Sequence, residues 1–143
     1  MYESSSEFGR EIASDYARLN TCTGEWILQL ADFDASASWT GDGCSSLVQW
    51  LQIYCDMGRS TAKEKLRVAR ELVRRPVVAR ALRDGAIPYT KARELTRLEG
   101  FDNDRDERYV ADAPAMSMPR LEAWVKQWNF HGAPERKPAS LED

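Results

Sequence analysis

Apolar residues recur at helical spacing along almost the whole chain. Phe8, Ile12, Tyr16 and Leu19 share one stripe, Trp26, Ile27, Leu30 and Phe33 follow, and Leu121, Trp124, Val125 and Trp128 keep register near the other end. No segment alternates apolar and polar residues between hairpin turns, as a half-buried strand would. The chain is therefore expected to be all-α, a compact bundle of about six to eight helices. At 143 residues it has the size of one domain. Residues 1–131 are assigned to that domain. Residues 132–143, with Pro134 and Pro138 among charged side chains, have the composition of a mobile polar tail or linker.

Local punctuation sets the expected boundaries. Ser4 with Glu7 three residues on has the capping-box pattern, and Thr23 or Gly24 is expected to interrupt the helix that follows. Ala35 to Gly43 reads as a loop anchored by Trp39. Ser45 to Met57 is apolar round most of its circumference, which predicts the buried centre of the bundle, with Trp50 and Leu51 inside and Gly58 as its end. Ser60 is the expected cap of a helix to Arg75, with Ala62, Leu66, Ala69 and Val73 inward and Pro76 forcing a stop. Shorter helices are expected over Val77 to Arg83 and Thr90 to Leu98. Asp102, Asn103 and Asp104 suit the start of another, and Ser117 and Pro119 mark the start of the last.

Two stretches, Gln49 to Leu72 and Ala79 to Leu98, run helix, glycine turn, helix, giving helix-turn-helix-like corners. The apolar position expected about six residues after the turn glycine is Glu64 in one and Lys91 in the other, so an ordinary helical corner fits as well.

Several function classes find no support. The polar, acidic start Met1-Tyr2-Glu3-Ser4-Ser5-Ser6-Glu7 is unlike a signal peptide, and no apolar run approaches the roughly 20 residues that span a bilayer. A cytoplasmic protein without membrane contact is expected. Cys22, Cys44 and Cys55 match neither a disulfide framework nor a zinc knuckle and are assigned to the core; a zinc site would need them to converge with the sole histidine, His131. Glycine-rich phosphate loops, HExxH and GxSxG are absent. The acidic group Asp102, Asp104, Asp106 and Glu107 lacks the spacing of a calcium loop and reads as a helix start with solvated surface. No cofactor, metal site or catalytic activity is expected.

Charge is unevenly spread. The net charge of −3 argues against a nucleic-acid partner, but Arg59 to Arg97 holds twelve basic and four acidic side chains, a net +8, leaving −11 elsewhere. On a helical wheel Lys63, Arg67, Arg70 and Arg74 fall within roughly 60°, and Lys91, Arg93 and Arg97 make a second cationic group. A phosphate backbone could lie along them. They could equally pair with the acidic remainder, within the chain or across a self-association interface.

The run Trp39-Thr40-Gly41-Asp42-Gly43-Cys44-Ser45-Ser46-Leu47-Val48-Gln49-Trp50-Leu51, then Ala62 to Leu72 with Val68-Ala69-Arg70-Glu71-Leu72, then Ala81 to Arg93, carries a family likeness. Over roughly Tyr16 to Gln127 the chain resembles the actinobacterial and phage domain of unknown function 222, the helical domain that commonly precedes an HNH endonuclease module. The resemblance implies an α-helical domain associated with DNA cleavage and supplies no catalytic residues. With one histidine, this chain lacks the HNH motif itself. The expected function is a DNA-binding or nuclease-associated module touching double-stranded DNA through phosphates. The alternative is a protein-interaction module, either a regulator or inhibitor of a host or phage protein or a homo-oligomer.

Overall fold

The computed structural model describes residues 6–131. It is all-helical: seven α-helices and two short 3-10 turns pack round one core, and the described residues contain no strand. The tail from residue 132 and the expected cap Ser4 lie outside the described residues.

The first helix, α1 (Glu7–Ser36), is one unbroken rod of 30 residues. Its cap is Ser6, whose hydroxyl accepts from the Gly9 amide at 2.9 Å. The interruption expected at Thr23 or Gly24 does not occur. Gly24 is buried against the fourth helix, and a Cβ there would lie 2.8 Å from Leu82 Cδ1. The glycine permits a close approach rather than ending the helix.

Residues 38–46 form a folded start for α2 (Leu47–Tyr54). Gly43 takes φ +79°, a conformation a side chain would strain. Ser46 Oγ accepts from the Gln49 amide at 3.1 Å, while Gln49 Oε1 accepts from the Ser45 amide at 2.7 Å. Trp50 Nε1 donates to Asp42 Oδ2 at 2.7 Å. These bonds give the Trp39-to-Leu51 motif a structural role.

α2 is not the centre of the bundle. Only Leu47 and Leu51 are buried on it; Ile53 and Tyr54 are exposed, and Trp50 is half-buried, tilted against Phe33. The centre belongs to α3 (Arg59–Arg74) and α4 (Pro76–Arg83), with α5 (Tyr89–Leu95) beside them. Their inner faces carry Ala62, Ala69, Ala79, Ala81 and Ala92 among Leu66, Val68, Leu72, Val78, Leu82 and Leu95. These faces are buried along most of their length, whereas α2 buries one edge against α3. On α3 Ala62, Leu66 and Ala69 are buried as expected, but Val73 is 67% exposed, and Val68 and Leu72 are inside in addition. Gly58, not Ser60, stands at its N-cap, and Pro76 opens α4 at its first position.

α6 (Asn103–Asp112) and α7 (Met118–His131) close the bundle. Asp102 caps α6 by accepting from the Arg105 amide at 3.1 Å. Tyr109 stacks on Trp124 with centroids 3.8 Å apart. Among the described residues no helix is long and apolar enough to cross a membrane.

Candidate nucleic-acid interface

Side chains from α3 and α5 meet at Glu64. Its carboxylate accepts from Arg67 Nε at 2.9 Å and Nη2 at 3.0 Å, one turn along α3. From α5 and just beyond it, Arg93 Nε approaches to 2.7 Å and Arg97 Nη2 to 3.2 Å. Arg67 Nη2 also donates to Thr96 Oγ1 at 3.3 Å. The Arg67 bonds, helped by Arg93 against the opposing effect of burial, hold the Glu64 carboxyl down from 4.5 to about 2.

Arg97 Nη1 also lies 3.6 Å from Glu94 Oε1, so three guanidiniums against two carboxylates leave this group with a net +1. The arginine side chains remain 36%, 42% and 44% exposed. A guanidinium fork donates to phosphate in the same geometry as to carboxylate. Beside it Lys65 Nζ sits 4.8 Å over the Tyr89 ring, and burial pushes the Lys65 ammonium down from its usual range. The buried Tyr89 hydroxyl has no hydrogen-bond partner among the described residues.

The other residues expected in the interface have separate surroundings. Lys63 is exposed and makes no ion pair among the described residues. Arg70 grips Asp34, near the end of α1, with Nε and Nη2 at 2.9 and 3.0 Å. Arg74 lies 3.8 Å from Glu71 and over the Phe101 ring. Lys91 is turned inward, its Nζ donating to the carbonyls of Ala113 at 2.9 Å and Pro114 at 3.4 Å. Lys91 thus ties α5 to the chain after α6 and does not join the cluster round Glu64.

Arg75 stands apart from the rest of the basic segment, since its side chain is buried at the α3–α4 corner. Asp106, expected on a solvated surface, is also buried, bonded by Arg105 Nε at 3.1 Å and Nη2 at 3.0 Å. Glu64 was legible as a partner three residues before Arg67. Asp34 and Lys65 carried no signal, because each meets its neighbour only through the tertiary fold, and Asp106, although next to Arg105 in sequence, is buried only by that fold.

Of the cysteines assigned to the core, Cys22 is exposed and Cys44 half-buried, while Cys55 is half-buried and packs against the core. Among the described residues no three His, Cys, Asp or Glu side chains are grouped as metal ligands. No family model matches the chain, and no curated protein or solved structure is similar to it.

Proposed function

We propose that this chain is a helical DNA-binding or nuclease-associated module that contacts duplex phosphates through α3 and α5 and has no catalytic activity of its own. The observation that supports this reading is Glu64 shared by Arg67, Arg93 and Arg97, which gathers half-exposed guanidiniums from two helices into one cationic patch. Lys63, Arg70 and Arg74 extend the patch along α3. The resemblance to the domain of unknown function 222 supports a place beside an HNH nuclease in an actinobacterial or phage cytoplasm.

Duplex binding measured at about 50 and about 200 mM salt tests it. Three phosphate contacts predict an affinity loss of about 40-fold across that interval. Reversing Arg67 and Arg93 to Glu is expected to abolish binding with helicity intact. No detectable binding at the lower salt would end this reading.

A further inference from the structure

Half of α1 lies outside the bundle. Its buried residues, Gly24, Ile27 and Leu30, all fall in the second half, and residues 10–19 are exposed without exception. The apolar face that carries Trp26 and Leu30 nevertheless runs on toward the N-terminus as Phe8, Ile12, Tyr16 and Leu19. These four are 72%, 58%, 56% and 60% exposed and lie within about 80° of the helix circumference. Isolated exposed apolar residues are ordinary, but a seam of four over about 17 Å of helix marks a contact surface. The twelve residues after His131 hold one large apolar side chain, Leu141, and do not match such a seam.

We propose that this seam packs against the same seam of a second copy of the chain, the two α1 arms running antiparallel about a twofold axis near residue 14. The order of the seam is what an isologous contact requires. Positions 8 and 19, and positions 12 and 16, share a midpoint to within half a residue. Phe8 therefore meets Leu19 of the second copy, and Ile12 meets its Tyr16.

Glu11, Asp15 and Arg18 lie on one flank of the seam, about 60°, about 20° and about 80° from Phe8, while the other flank carries Gly9, Ala13 and Asn20. Antiparallel helices bring like flanks together, which sets Asp15 of each copy near that of the other close to the twofold axis, with Arg18, paired to Asp15 in the same helix, farther out. These carboxylates weaken the contact, and the apolar seam carries it. Covering both seams removes on the order of 1,000 Å² from water, the lower bound for a specific interface.

Sedimentation equilibrium of the whole chain tests the proposal. The mass is expected to rise with concentration from 16.3 kDa toward twice that value in the micromolar range. The double variant Ile12→Glu, Leu19→Glu is expected to stay monomeric with the core melting transition unchanged, because neither residue is buried in the bundle. Ile53→Glu, which alters an equally exposed apolar residue on α2, leaves the dimer intact.

Orientation has its own readouts. Asp15→Asn, which removes like charges that antiparallel arms bring together, is expected to tighten the dimer about threefold. Oxidation is expected to give no Cys22–Cys22 linked peptide, since antiparallel arms hold these residues about 25 Å apart along the axis. A wild-type monomer at every concentration, a dimer that survives the Ile12, Leu19 double variant, a dimer weakened by Asp15→Asn or a Cys22 cross-link would each overturn the proposal.

Discussion

Arg75 and Asp106 face each other inside the molecule, Nη1 3.9 Å from Oδ2, with 2% and 1% of their side chains exposed. Arg75 Nη1 also donates to the Gly100 carbonyl at 3.3 Å and Nη2 to that of Leu98. Arg105, on the other side of Asp106, donates to the carbonyls of Glu99 at 2.8 Å and Gly100 at 2.9 Å. The three side chains thus fix the α3–α4 corner to the chain before α6. Asp106→Ala leaves the buried Arg105 without a carboxylate and Arg75 with Glu71 alone, 3.3 Å from its Nε, and a loss of about 3–5 kcal/mol is expected in urea unfolding. Glu107→Ala removes only an exposed pair with Arg80, and its cost is expected to stay under about 1 kcal/mol.

The same contrast separates the core from the basic stripe. Leu51 is fully buried, and Leu51→Ala is expected to cost about 2–5 kcal/mol. Arg70 bonds Asp34 in two places but is 57% exposed, so Arg70→Ala is expected to cost under about 1 kcal/mol. Thermal melts of the two variants check both values. Equal melting points would mean that the stripe belongs to the scaffold.

Glu64 gives the fold an acid sensitivity. Its carboxyl titrates lower in the folded chain, at about 2, than in the unfolded one, near 4.5. Its contribution is therefore complete above about 4.5 and is lost as pH falls toward about 2. Solvent round the half-exposed arginines holds it to about 1 kcal/mol. The stability difference between the chain and Glu64→Gln is expected to shrink across that window, as measured by urea midpoints at successive pH values.

Glu64 also competes with any phosphate for the same three guanidiniums. Glu64→Gln removes the competing charge, so tighter duplex binding and a steeper salt dependence are expected. Unchanged affinity in fluorescence anisotropy titrations would place the DNA contact elsewhere on the surface.

The parts of this fold visible in the sequence are those set by neighbours along the chain. Pro76, Asp102 and Ser117 punctuate helices in place, since caps and breaks act within one turn, whereas Gly58, expected to end α2, caps the start of α3, and α2 ends at Tyr54. The continuity of α1 was hidden because the reason Gly24 is helical, its packing on Leu82, lies 58 residues away. The position of α2 was hidden for a related reason. Its apolar circumference records what it could bury, but in the folded chain it meets mainly α3 and the 3-10 turn before it. At the interface, the wheel placed Lys63, Arg67, Arg70 and Arg74 on one face but could not supply Asp34 from α1 or Thr96 from beyond α5.

The length of α1 divides its backbone into two regimes of motion. Near Ile27 the amides are locked by the surrounding core and open to solvent only when the bundle itself opens. Before Leu19 no such packing holds them, and a helix of that length standing alone is marginal in water. Hydrogen exchange therefore runs as a gradient along one rod, fast at Glu7 and slowing through Gly24. Any partner that grips the outer turns would be read first as slowed exchange there, with the inner turns already at the limit set by global unfolding.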